Sequence, residues 1–263
     1  MEGSLPKICT TVSYYRITEK LGGGIDVVMK MRLLWKVLLG IVFGLVLIGA
    51  GGLFILNRVL FQPLQTGKVA ENVFAVKGGV ANLFVYSDGT HHVCFDSGQN
   101  VEDVAAGLRT LGIEPEAVSA VFLTHSDSDH AGGLGAFPKA ELYLSVDEEQ
   151  MITGKTPRFV LFHNAPLSRR YHLVRDGETI PVGTLKITTI VTPGHTPGSA
   201  CYLVNGVVLF AGDTLRIEEG KVHPFYSLIN MDTRAEMESI EKLKRIAGVR
   251  LVCSAHSGCT DAL

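Results

Sequence analysis

Thr124-His125-Ser126-Asp127-Ser128-Asp129-His130 is the stretch whose reading decides the fold. It follows the apolar run Val118-Ser119-Ala120-Val121-Phe122-Leu123, which has the length and composition of a buried strand. Side chains in a loop at a strand end can fold toward one point. Two imidazoles and two carboxylates at one point hold a divalent cation well. Ala131-Gly132-Gly133 then lets the backbone turn tightly just past the four candidate ligands.

The same device recurs down the chain. Thr188-Thr189-Ile190-Val191 leads into Pro193-Gly194-His195-Thr196-Pro197-Gly198, Val207-Val208-Leu209-Phe210 into Ala211-Gly212-Asp213, and Arg250-Leu251-Val252-Cys253 into Ser254-Ala255-His256-Ser257-Gly258. Each is a short apolar run ending in a glycine-bearing turn with one His or Asp. A single His after a strand is more often a hydrogen-bonded structural residue than a ligand. The set is what argues for metal: His125, Asp127, Asp129, His130, His195, Asp213 and His256 suffice for a two-metal site.

In order and context, these residues resemble the metallo-β-lactamase-fold hydrolase superfamily, from about Glu71 to the C-terminus. Asn82–Tyr86 and Val93–Gly98 are similar to that family's opening strands, with Asp96 at its first motif; His125–His130 match the second, His195 the third, Asp213 the fourth and His256 the fifth. The resemblance implies an α/β fold, a four-layer αββα sandwich of two face-to-face sheets with helices outside. It also implies two divalent ions, zinc being the family's usual choice and manganese or iron the alternatives. By analogy His125, Asp127 and His195 hold one ion, Asp129, His130 and His256 the other, and Asp213 bridges them. Asp129 is the candidate catalytic residue, orienting or deprotonating the attacking water. Asp96 reads either as an acceptor for a ligand imidazole N–H or as a turn-forming residue before Ser97-Gly98.

The sequence departs from the family's His-x-His-x-Asp-His at its middle imidazole, which is Asp127 here. A similar His-x-Asp-x-Asp-His occurs in the hydrolase-like domain of competence proteins, and related carboxylates occur in flavodiiron proteins. The extra carboxylate favours harder ions and makes the cluster one unit less positive, so bound water is acidified less. Hydrolysis is therefore expected to have a higher pH optimum than in an Asp127→His variant.

Around the fold, 263 residues fit one domain with an extension. Residues 37–56 carry no charge and match a bilayer core in length, so residues 31–57 are expected to form a single-pass transmembrane anchor. Lys30, Arg32 and Lys36 before it and Arg58 and Lys68 after it favour an inside N-terminus and an extracytoplasmic catalytic domain at the bacterial cell membrane. Residues 1–30 differ in composition, and the basic-then-apolar pattern beginning at Met29 or Met31 points to a start codon there. Residues 58–70 read as a linker and 71–263 as the hydrolase domain. Cys94, Cys201 and Cys253 fall in predicted core strands and Cys259 just past His256; no regular cysteine framework is visible, so the sequence assigns no disulfide and leaves the redox state of these four open.

Helices are expected at Val101–Leu111, Gly132–Phe137, Ser145–Ile152 and Thr233–Ile246. Two irregular stretches, Gly154–Tyr171 and Leu215–Met231, are expected to shape the pocket, with His223 or Tyr226 binding substrate. The expected partner is a small-molecule ester, thioester or lactone: the Thr-His…Asp-His-Ala-Gly-Gly and Pro-Gly-His-Thr-Pro-Gly-Ser segments are similar to glyoxalase-type and lactonase-type members. Asp127 raises phosphodiester hydrolysis as an alternative, but a net charge of −2 and a pI near 6.5 leave no nucleic-acid footprint. A non-haem iron oxidoreductase on the same ligands is a further alternative, without sequence for a flavin domain. A non-catalytic metal-binding module is disfavoured by the full ligand set.

Overall fold

The computed structural model describes residues 34–36, 38–44 and 61–261, in two compact units, residues 1–58 and 59–263. In the first unit residues 34–36 and 38–44 are helical, with Trp35 and Phe43 exposed. Among the described residues no helix is long and apolar enough to cross a membrane. Most of the expected anchor, and all of residues 1–30, lie outside the described residues.

The second unit is built on two sheets. β1 (Gly67–Ala70), β2 (Val73–Lys77), β3 (Asn82–Ser87), β4 (His92–Phe95), β5 (Val118–Phe122), β6 (Glu141–Ser145) and β7 (His172–Val174) pair in sequence order. The pairs from β1 to β4 are antiparallel and those from β4 to β7 parallel. The second sheet takes β8 (Thr179–Val182), β9 (Leu185–Val191), β10 (Ala200–Val204) and β11 (Val208–Gly212). After a separate hairpin, β12 (Leu215–Glu218) with β13 (Lys221–Pro224), it is completed by β14 (Leu251–Ser254) and β15 (Gly258–Thr260). Its order is β15-β14-β11-β10-β9-β8, with β11 and β14 parallel.

Alternating side chains sort into three apolar layers. Between the sheets, Phe84, Phe95 and Phe122 of the first meet Tyr202, Phe210 and Cys253 of the second, with the Phe95 and Phe210 rings stacked at 4.0 Å. On the outer face of the first sheet, Leu83, Val85 and Val121 bury Val104 and Leu108 of α1 (Val101–Thr110). On the outer face of the second, Cys201, Leu209 and Val252 bury Ile240 and Leu243 of α4 (Thr233–Leu243). These are the expected four layers. α1 and α4 start where Asn100 and Asp232 accept backbone N–H bonds as N-caps.

The other expected helices are shorter and partly 3₁₀. The ligand stretch itself forms the short α2 (Ser128–Ala131), followed by a 3₁₀ segment at Gly132–Ala136; Val146–Glu148 is 3₁₀ and leads into α3 (Glu149–Ile152). At Gly132–Ala136 the glycine-rich sequence lacks the propensity to hold α geometry. The redox state the sequence leaves open is decided by the fold: Cys253 is bonded to Cys259, its direct cross-strand partner between β14 and β15. A six-residue separation carries no disulfide signal; only the hairpin's register brings the two thiols together. Cys94 and Cys201 are free and buried. Residues 61–66, expected as linker, are fastened to the fold: Asn82 bonds both the N–H and the C=O of Leu64, and Gln62 N–H donates to His256 O at 2.8 Å.

Candidate metal centre

All seven candidate ligands sit at the strand ends of both sheets, at one edge of the sandwich. His125 follows β5; Asp127 directly precedes α2, which carries Asp129 and His130. His195 lies in the β9–β10 turn, Asp213 directly after β11 and His256 in the β14–β15 turn. His125, His195 and Asp213 place ligand atoms within 4.8 Å of one another, and so do Asp129, His130 and His256. Asp213 lies between the two groups: its Oδ2 is 3.5 Å from His195 Nε2 and 3.1 Å from His256 Nε2, and its Oδ1 is 3.4 Å from His130 Nε2.

Each imidazole is held from outside and presents Nε2 inward. His130 Nδ1 is 2.8 Å from Asp96 Oδ2, His256 Nδ1 is 2.8 Å from Val80 O, His195 Nδ1 is 3.2 Å from Asn230 Oδ1, and His125 Nδ1 is 3.1 Å from Thr124 Oγ1. Outward donation from Nδ1 fixes the tautomer whose Nε2 lone pair faces the cluster. His125 Nε2, His130 Nε2 and Asp213 Oδ1 are buried and have no hydrogen-bond partner. Buried polar atoms are rarely orphaned, and His130 Nε2 with Asp213 Oδ1, 3.4 Å apart, fit a divalent cation.

Electrostatics agree with this fit. Burial opposes charge on Asp213, yet the His256 and His130 imidazoles hold its carboxyl well below the usual range. Burial likewise opposes charge on His130 and His256, but the carboxylates of Asp213 and its neighbours raise both. At His195 burial prevails and the imidazole is pushed down.

Asp96 fills both roles read for it. It turns the chain at φ 66° and, besides holding His130, accepts the Thr124 N–H at 2.7 Å. Its signal was its place before Ser97-Gly98. Glu148 had no such signal. Fully buried, it accepts from Ser126 N–H (2.8 Å), Ser126 Oγ (2.6 Å) and Thr196 Oγ1 (2.6 Å), clamping the His125 loop to the His195 loop. Close backbone packing does the same: a Cβ at Gly198 would lie 1.9 Å from Glu148 N. Behind Asn230, whose Nδ2 donates to Glu236 Oε2 at 2.6 Å, Glu236 is buried and its carboxyl is pushed up to about 7, chiefly by burial.

The two expected substrate residues contribute no ligand atom to either triad. His223 pairs with Arg216 across the β12–β13 hairpin, and the Tyr226 ring lies under the Arg216 guanidinium. Phe225 between them faces the cluster instead, its ring 5.3 Å from His195 and 5.6 Å from His256. Phe61 adds a ring 4.3 Å from His256. The stretch after Gly154 does border the site: a cleft of about 1460 Å³ runs from Asp127 and Asp129 between residues 131–141 and 158–172. A bridged turn on that wall exposes Phe159, Val160, Leu161 and Phe162. Arg158 and Asn164 enter from the same stretch and both bind Asp127, Arg158 Nε at 2.8 Å from Oδ2 and Asn164 Nδ2 at 2.9 Å from Oδ1. An arginine among loop aromatics gave no sequence signal for a buried partner.

A family model described as the metallo-beta-lactamase superfamily matches residues 76–256. Curated relatives include the hydroxyacylglutathione hydrolases of Salmonella typhi and Salmonella dublin, 32% and 34% identical over 164 residues. Each match takes in 59% of this chain and 54% of the relative, so the chain spans about half the length of the relatives it matches. Similar solved structures include the metallo-beta-lactamase SMB-1 bound to 2-mercaptoethanesulfonate (24% identity, TM-score 0.58, 75% of this chain and 82% of that one). The subclass B3 enzyme BJP-1 of Bradyrhizobium japonicum is another (20% identity, TM-score 0.58, 75% and 79%). At these identities the structural likeness speaks for the fold.

Proposed function

The chain belongs to the metallo-beta-lactamase superfamily, and from that premise we propose that it is a metal-dependent hydrolase of a small thioester, ester or lactone. The observation that carries the reading is the inward convergence of four Nε2 atoms, each fixed from behind, on shared Asp213. Relatedness to hydroxyacylglutathione hydrolases supports the thioester within that class. The exposed apolar turn on the cleft wall supports a substrate with an acyl portion to bury.

Asp129, His130, His256 and Asp213 would hold a divalent cation, and His125, His195 and Asp127 face the adjoining space. Such a cation supplies Lewis acidity, lowering the pKa of water and polarising the carbonyl under attack. Asp129, partly exposed at the cleft floor, accepts the proton of the attacking water and orients it. Phe225 and Phe61 exclude bulk water from the His256 side, which strengthens each charge interaction inside. Zinc suits the two imidazoles and two carboxylates of the Asp129 group, as does manganese.

The test is a substrate panel of thioester, lactone, β-lactam and bis-p-nitrophenyl phosphate, run on chelated and on metal-reloaded protein. Metal-dependent turnover of the thioester or lactone, lost in Asp129→Ala with folding retained, is expected. Turnover of the phosphodiester alone, or activity indifferent to chelation, would sink the reading. We also propose that the uncharged run 37–56 tethers this unit to a membrane.

A further inference from the structure

The expected first cation needs the lone pairs of Asp127 and His195, and in this chain an arginine already uses them. Arg158 Nε lies 3.0 Å from Asp127 Oδ1 and 2.8 Å from Oδ2. Its second guanidinium nitrogen, Nη2, is 3.0 Å from His195 Nε2 and 2.8 Å from Ile229 O. His195 Nδ1 faces Asn230 Oδ1 and so carries the proton, which leaves Nε2 as the acceptor of the arginine N–H. That Nε2 lone pair is the one a metal would take. Asn164 holds the Asp127 carboxylate from its other side. The guanidinium is enclosed rather than adrift: Arg158 is 6% exposed, and its backbone N–H is fixed to Phe162 O in the bridged turn.

We propose that the Arg158 guanidinium stands in for the first of the two cations, so that this chain holds one divalent ion, between Asp129, His130, His256 and Asp213. Charge supports the assignment. One dication and one guanidinium balance the carboxylates of Asp127, Asp129 and Asp213, whereas a second dication beside Arg158 leaves two uncompensated positive charges in a buried cluster. The Asp129 group has none of its ligand atoms bound to Arg158. Arg158 Nη1, buried without a partner, is the donor this arrangement offers to a substrate oxygen.

The inference rests on the metal-dependent reading above, and stoichiometry separates the two. Full-length protein and Arg158→Met are chelated, reloaded with excess manganese(II), desalted, and assayed for bound metal and by electron paramagnetic resonance. The wild type is expected to keep one equivalent with the signal of an isolated ion. Arg158→Met, with Asp127 and His195 released, is expected to keep two equivalents with a spin-coupled signal. Two equivalents or a coupled signal in the wild type would overturn the inference while leaving the metal-dependent reading intact. One equivalent in both proteins would overturn it as well, since Arg158 would then not be what excludes the second ion. No metal in either protein would overturn both. Two equivalents in the wild type overturn the inference even if Arg158→Met does not fold; Arg158→Gln then takes its place in the same assay, with the same outcomes.

Discussion

Asp96→Asn tests whether outward hydrogen bonds set the metal affinity of this cluster. Asp96 Oδ1 takes the Thr124 N–H at 2.7 Å, and its Oδ2 takes His130 Nδ1 at 2.8 Å, with both residues buried. The Thr124 amide is a fixed donor, so an Asn must keep its carbonyl oxygen there and turn its NH₂ toward His130. An NH₂ cannot accept. His130 must then carry its proton on Nε2, the atom that faces Asp213 Oδ1 at 3.4 Å and Asp129 Oδ2 at 3.6 Å, or leave a buried donor unpaired. A hydrogen bond to a charged group contributes about 1.5–3 kcal/mol, which is roughly 10–100-fold in zinc affinity and matches the usual effect of losing such a partner. Competition against a fluorescent zinc chelator at pH 7.5 measures it, with thermal unfolding in chelator showing that the fold persists. Affinity within about threefold of wild type in a folded Asp96→Asn protein would refute the reasoning.

Other consequences are as direct. Burial pushes the Glu236 carboxyl up to about 7 from its ordinary 4.5, so between those pH values the native state holds a proton that the unfolded chain releases. Stability therefore falls as pH rises from about 4.5 to 7, by about 3 kcal/mol from this group, and Glu236→Gln should abolish that component of the pH dependence in urea unfolding with chelator present. Gly198→Ala forces a Cβ to within 1.9 Å of the Glu148 backbone and should cost about 3 kcal/mol or more, read as a lowered Tm. The surrounding carboxylates raise the His130 and His256 imidazoles, so zinc binding should displace protons and weaken as pH falls; calorimetry in buffers of different ionisation enthalpy counts them. The full chain should sediment with membranes and resist carbonate extraction, and deletion of residues 37–56 should release it.

Much of the centre was legible because its chemistry is local in sequence. Four ligands fall within six residues after β5, and His195, Asp213 and His256 each follow a strand in a glycine-bearing turn. Apolar period and turn residues place such strands, and strand ends of a layered sandwich meet at its edge. The sequence alone therefore determined the layers and the seven strand-end candidates, and it put Asp96 either at a turn or behind an imidazole. Pairings between distant segments were decided only by tertiary structure. Glu148 reads as one more polar residue until burial brings Ser126 and Thr196 to it. Cys253 meets Cys259 through strand register, and Phe225 rather than His223 faces the ligands through the path of the β12–β13 hairpin. Arg158 is the largest case. Nothing in its neighbours marks it, because a guanidinium becomes a cation of the site only where folding carries it, desolvated, to Asp127 and His195.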